Sequence, residues 1–323
     1  MRADLLDPAS DGPNKPQKCA KVRGMEANVE LAPRPGLEPG TCGLTARRSF
    51  RPEAGEAILQ RTRGHVHGPI TRLVSPSDLG ELIKPFVFLD YFDIDPKRSP
   101  GIGFHPHLGS ATLTLLLEGK ISYEDTSGAK GIIEPGGVEW MRAAGGVWHS
   151  GGVAGTARAK GYQLWIALPP EMESIEAEAQ YLGGEHFKSH GPARIILGRL
   201  GEAISKVRAP TTMNYLDLRL NKGEKWRYQP PANHTVPWIA VYRGKLATPE
   251  IVDKGELTVF EESSGALEFA PLEDADFVLG SALKHPHDLV LGSYSVHTNK
   301  HALDKGEAKI AELGKRLQAE GRL

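Results

Sequence analysis

Long apolar runs are missing from this sequence. No stretch approaches the roughly 18 apolar residues that a membrane-spanning helix needs, and the longest, such as Phe86 to Leu89 and Leu113 to Leu117, are strand-sized. Cysteine is scarce as well, with only Cys19 and Cys42 in 323 residues. Two cysteines near the N-terminus exclude a disulfide framework for the body of the protein and a zinc finger, and they fit a reducing cytoplasm. Neither sign of charge is in excess: 39 Lys and Arg balance 40 Asp and Glu, for a formal net charge of −1. The chain as a whole therefore has no electrostatic pull toward nucleic acid or an anionic membrane, although a protein partner stays open. The N-terminus has no apolar signal core, and Asp4, Asp7 and Asp11 stand where a transit peptide avoids acid. A Gly-rich phosphate loop in a strand-to-helix setting and a Gly-x-Ser-x-Gly elbow are both lacking. The expectation is a cytoplasmic protein that touches neither nucleic acid nor membrane.

Glycine and proline, by contrast, are plentiful, at 37 and 24 residues. From about residue 65 they punctuate short apolar runs. Phe86 to Leu89 reads as a buried strand, and Ala111 to Leu117 as a second that ends at Glu118-Gly119-Lys120. Ile121 to Tyr123 alternates before the turn Thr126-Ser127-Gly128. Pro135-Gly136-Gly137 then feeds Val138 to Met141, and Tyr162 to Leu168 closes at Pro169-Pro170. Many short strands at such spacing predict an all-β sandwich or barrel and not a parallel α/β sheet.

The organisation reads in four parts. Residues 1–60 are rich in Pro, Gly and charge, without a sustained period, and are expected to be a disordered tail. Within them Leu31 to Thr45 resembles a translated transfer-RNA gene, so the alternative to a real disordered tail is an assigned start that is too early, with the working protein beginning near residue 55. Residues 61–170 form a first barrel. Residues 171–300 form a second, in which Tyr242-Arg243-Gly244-Lys245 echoes Leu117-Glu118-Gly119-Lys120. Residues 301–323 predict a terminal amphipathic helix from the spacing of Ile310, Leu313 and Leu317, with Glu312 and Arg316 as an i,i+4 pair.

The chemistry concentrates in histidines. In Gly103-Phe104-His105-Pro106-His107, residues two apart on an extended segment share a face, so both imidazoles can reach one ion. Pro106 can donate no ladder bond, which places the segment at an edge. A third histidine, His149, follows in Gly145-Gly146-Val147-Trp148-His149-Ser150, after the Pro-Gly-Gly turn. Imidazole suits zinc, copper, iron and nickel.

These stretches carry a family resemblance. GFHPH at 103–107, LLEGKISYEDTSG at 116–128, PGGVEWMRAAGGVWHS at 135–150 and GYQLWIALPP at 161–170 resemble, in this order, the motifs of the pirins. The resemblance is densest over residues 65–170 and continues faintly through Phe277 to Gly280 and Gly292 to Val296. It implies two stacked cupin barrels with one divalent metal in the first, usually iron and here Fe(II), held by His105, His107 and His149. The family's fourth ligand, a glutamate two residues beyond the last histidine, falls on Gly151. The glutamate common after the histidine pair falls on Ala111. A three-histidine site is therefore expected, with water completing the shell; Glu118 and Glu139 are the carboxylates that could substitute, but their strand positions favour neither. The resemblance also implies a quercetinase-like dioxygenase acting on a flavonol or enol. The alternative is a non-catalytic, metal-dependent regulator that binds another protein, and a third reading is a degenerate cupin without metal.

Other candidates read as structural. His285-Pro286-His287 repeats the His-x-His pattern but is expected to be a polar loop, with His297 and His301 near the last helix. His65 and His67 are expected to face solvent. Glu124 and Asp125 are expected to form a solvated hairpin turn and not an acid/base pair. Trp140, Trp148 and Trp165 are expected in the core or the pocket wall.

Overall fold

The computed structural model describes residues 57–99, 101–210 and 212–323. Most of the expected tail, with Cys19, Cys42 and the segment 31–45, lies outside the described residues. The first described strand, Ile58–Thr62, starts within the stretch expected to be tail and pairs antiparallel with Leu257–Phe260 of the second half.

Antiparallel strands then build one plan twice. In the first half a seven-stranded sheet runs in the order Glu178–Leu182, Val138–Arg142, Ser110–Glu118, Ala159–Ala167, Phe86–Ile94, Ile70–Val74, His65–His67. It is accompanied by a four-stranded sheet in the order Ile102–His107, Val147–Val153, Ile121–Asp125, Lys130–Ile133. The second half repeats the combination of seven and four strands, with Ile58–Thr62 as an edge strand of its large sheet. This is the all-β, two-barrel cupin architecture with a C-terminal helix.

Strand parity shows how the barrels join. Leu113, Leu115, Tyr162, Leu164 and Ile166 of the first large sheet share one buried cluster with Ile196, Tyr215, Trp238, Val259 and Val278 of the second. Phe86 meets Trp238 edge to face at 5.4 Å between centroids. Fully burying such side chains stabilises by roughly 1.5–3 kcal/mol each, so the face between the two large sheets is a principal core.

Alternate residues turn into the barrels, and there the two halves differ. The second barrel is filled mainly by apolar side chains, among them Phe260, Phe269 and Phe277. The first buries Asp90, Thr112, Thr114, Glu139 and all three predicted histidines. Buried polar groups need partners; in the second barrel Asn214, Tyr228, Ser281 and His234 supply one another's, whereas both nitrogens of His107 in the first have none.

The helix Lys300–Ala319 is capped by Asn299, whose side chain accepts from the Ala302 amide at 2.9 Å. It returns to the first barrel: Trp148 Nε1 donates to the Ile310 carbonyl at 3.4 Å. Gly146, at φ +112°, makes room for it, since a Cβ there would stand 2.9 Å from Ile310 Cδ1. Leu317 is buried and Ile310 and Leu313 half-buried, as their spacing predicts. The expected Glu312–Arg316 pair is replaced by Arg316 with Glu320, at 3.8 Å and exposed on both sides. No described helix is long and apolar enough to cross a membrane.

Candidate metal centre

His105 and His107 sit on Ile102–His107, the edge strand of the four-stranded sheet, where a proline costs the ladder least. His149 lies on the next strand, directly across from His105 in the antiparallel register. All three side chains are buried, and a ligating nitrogen from each falls within 4.8 Å of the others. The ring centroids are 4.4 to 5.0 Å apart. Trp165 closes one side, meeting His107 at 4.8 Å in a perpendicular contact.

The hydrogen bonds fix how two of the rings are presented. His105 Nδ1 donates to the Gly103 carbonyl at 2.9 Å, and His149 Nδ1 donates to the carboxylate of Glu139 at 3.1 Å. In the neutral rings both Nε2 atoms are then unprotonated, yet they face each other at 3.0 Å. Two lone pairs at that distance are favourable only with a cation between them. Nitrogens held about 2.1 Å from one ion at right angles stand ~3.0 Å apart, so a transition metal fits. Both nitrogens of His107 are buried without a hydrogen-bond partner, a condition that costs roughly 1–3 kcal/mol and that a metal ion would relieve. Burial, and secondarily the neighbouring His149, lowers the pKa of His105 to about 3. Burial, then His149 and His105, pushes His107 well below its ordinary value. Protons are thus poor occupants of these two rings, and the donor set suits a divalent ion.

Of the two carboxylates weighed as substitutes, Glu118 is out of reach, exposed and paired with Lys160 at 2.7 Å. Glu139 is brought to the site, though one step outward. Its Oε1 holds the far nitrogen of His149, and its Oε2 accepts from Thr114 Oγ1 at 3.0 Å. Ala111 belongs to the cluster shared between the barrels, with Leu113 and Leu115. By strand alternation it faces away from Thr114, so a longer side chain at 111 would not point at the ion. Gly151 shares the face of His149 and borders the cavity beside it.

Several expectations need correction. Asp125 is no solvated turn residue. It is fully buried, with Oδ2 accepting from Tyr181 at 2.7 Å and Oδ1 accepting from the Ser127 and Ala129 amides. Glu124 is the half-exposed neighbour, bonded to Arg322 at 2.7 Å. His285-Pro286-His287 is a loop as expected, yet His285 is buried while His287 is exposed. His297 is also buried and paired with Glu173 at 3.1 Å, whereas His301 is exposed on the helix. His65 and His67 are exposed. Trp140 lies in the shared core, Trp165 inside the first barrel and Trp148 at its mouth.

A cavity of about 80 Å³ runs along His105, His149, Glu139 and Gly151, space for a few waters at roughly 10–15 Å³ each. His105 also borders a wider groove of about 600 Å³ between Phe104, Trp148, Tyr294 and the C-terminal helix. Tyr294 comes from the second half and was not foreseen at the site. Its backbone is left-handed, φ +58°, and its ring centroid lies 5.9 Å from that of His105. Left-handed backbone at a non-glycine residue is uncommon and gathers at functional sites.

Comparison with known proteins bears on the family and the fold. The Pirin family model matches residues 69–166. A Pseudomonas aeruginosa protein provisionally named a quercetin 2,3-dioxygenase is 30% identical over 238 residues, 68% of this chain and 82% of its own. Among solved structures, a quercetin 2,3-dioxygenase from Acinetobacter baumannii superposes with a TM-score of 0.72 at 22% identity, over 79% of this chain and 96% of that one. The bacterial pirin YhhW from Escherichia coli, in complex with nickel(II), superposes at 0.57 and 22% identity, over 68% and 95%.

Proposed function

The chain belongs to the pirin family, and we propose that it is a metal-dependent dioxygenase of the quercetinase type. In this reading His105, His107 and His149 hold one divalent ion, Fe(II), and the substrate is a small aromatic flavonol or enol. The first barrel, residues 61–170, would carry the chemistry, and the metal-free second barrel, residues 171–300, would support it. Cysteine scarcity supports a cytoplasmic setting.

The observation that carries this reading is the convergence of three buried imidazoles, in which both nitrogens of His107 lack a hydrogen-bond partner and the Nε2 atoms of His105 and His149 face each other at 3.0 Å. A bound ion would supply Lewis acidity toward an enol oxygen and a meeting point for substrate and dioxygen. The protein's own part is to hold His149 and His105 in one tautomer, through Glu139 and the Gly103 carbonyl. Apolar walls such as Ile70, Phe92 and Ile102 keep bulk water from the cavity. Both oxygens of Glu139 are engaged, which leaves the general base unassigned.

A second reading, a non-catalytic regulator that binds another protein in a metal-dependent way, is favoured by one observation. The inner cavity of about 80 Å³ is small for a three-ring substrate, whereas the wider groove presents Phe104 and Trp148 at the surface side of the site. Oxygen uptake by the Fe(II)-loaded protein separates the two. Flavonol-dependent uptake that is lost in His149→Ala supports the enzyme. Protein that holds one iron per chain and consumes no oxygen with any flavonol or enol contradicts it and favours the regulator.

A further inference from the structure

The three ligands are neutral imidazoles, so nothing in direct contact offsets the dipositive charge of an ion buried in this barrel. The neighbouring carboxylates are committed elsewhere. Asp90 is paired with Arg72 at 3.2 Å, and Asp125 is engaged by Tyr181 and its own turn. Glu139 is different, because its carboxylate is buried and hydrogen-bonded to a ligand ring. We propose that Glu139 is the positioning residue of this site and supplies, through His149, the negative charge that the coordinating atoms lack. The inference rests on the three-histidine reading above and adds a charge role to Glu139, which that reading uses only to fix a tautomer.

The geometry excludes the simpler role of Glu139 as a fourth ligand. Its Oε1 sits on Nδ1, across the imidazole from the Nε2 that faces His105. Its Oε2 is held by Thr114. Placed so, the carboxylate does two things. It holds the proton on Nδ1, which keeps the Nε2 lone pair aimed at the ion. It also draws that proton toward itself, which makes Nε2 a more basic and more anionic donor. Thr114 and Glu139 lie directly opposite each other in the register of their strands, so the acceptor is fixed by the sheet and not by a loop.

Outer partners of this kind typically change metal affinity 10–100-fold when removed. Glu139→Gln, which keeps the shape and an acceptor oxygen but removes the charge, is therefore expected to weaken Co(II) binding by about that factor. Its metal-free melting temperature should stay close to that of the wild type. Gly151→Glu in the Glu139→Gln background should recover part of the affinity, since position 151 faces the same cavity. The recovery will be partial, because a Cβ at 151 would lie 3.0 Å from the Ser122 carbonyl and the strand must give way.

The measurement is Co(II) competition against a chelator for the wild type, Glu139→Gln and His149→Ala. Loss of binding in His149→Ala together with a 10–100-fold loss in Glu139→Gln supports the proposal. Loss in His149→Ala with Glu139→Gln within threefold of the wild type overturns it and leaves the histidine site standing. Retention of the metal by His149→Ala overturns the site itself. A wild-type experiment covers the case in which Glu139→Gln fails to fold. Histidine 15N NMR of the Zn(II)-loaded protein should show His149 coordinated through Nε2 with a proton on Nδ1, and coordination through Nδ1 would overturn the proposal.

Discussion

His149 stands directly across from His105 in the pairing of their strands, and their Nε2 atoms meet at 3.0 Å. A cross-strand pair on one face brings two side chains together without any loop between them. The third imidazole follows at no conformational cost, because His107 lies two residues along on the same face. The cluster is thus a property of strand register.

The core between the two large sheets should govern overall stability. Trp238 is fully buried there, against Phe86. Trp238→Ala is expected to cost about 3–5 kcal/mol, from lost transfer energy and an unfilled cavity. Urea unfolding checks it, and a loss under 1 kcal/mol would mean that the barrels do not depend on this contact.

The seat of the C-terminal helix should be sensitive to one glycine. Gly146 combines φ +112° with a close approach to Ile310. Gly146→Val adds backbone strain of roughly 1–3 kcal/mol and a clash. Hydrogen exchange should speed up along the helix Lys300–Ala319 while the large sheets stay protected; unchanged protection of the helix would contradict its docking here.

Acid should weaken the second barrel through buried histidines. Burial lowers His234 from 6.5 to about 4, and burial with the nearby His287 and Lys84 lowers His285 to about 4. Between those values the unfolded chain takes up protons that the folded chain does not. Stability therefore rises with pH across this window and is lost as pH falls from about 6.5 toward 4. The double variant His234→Gln, His285→Gln should lose less stability than the wild type between pH 7 and pH 4.5, as read by urea midpoints. Equal losses would show that these residues do not titrate in the fold.

Much of this arrangement is legible in the sequence, and the reasons are local. Alternation and turn residues mark the strands, and a His-x-His pair can only share a face if the segment is extended. Pro106 even marks that strand as an edge. Other features depend on which strands become neighbours, and a strand pattern does not carry that information. Glu139 reaches His149 because its sheet lies across the barrel, so it reads from sequence as one of two equal carboxylates. Asp125 looks like an exposed turn residue until Tyr181, from a distant strand, covers it. Tyr294 reaches the site because the chain after the second barrel turns back toward the first, where the helix meets Trp148 through the Ile310 carbonyl.

Metal content of the purified protein tests the central claim most directly, by elemental mass spectrometry on protein isolated without chelator, alongside His149→Ala and the control His285→Ala. The account predicts close to one metal ion per chain in the wild type and in His285→Ala, and loss of the ion in His149→Ala. A wild type without metal after anaerobic loading with Fe(II), or His149→Ala with its metal intact, would contradict it.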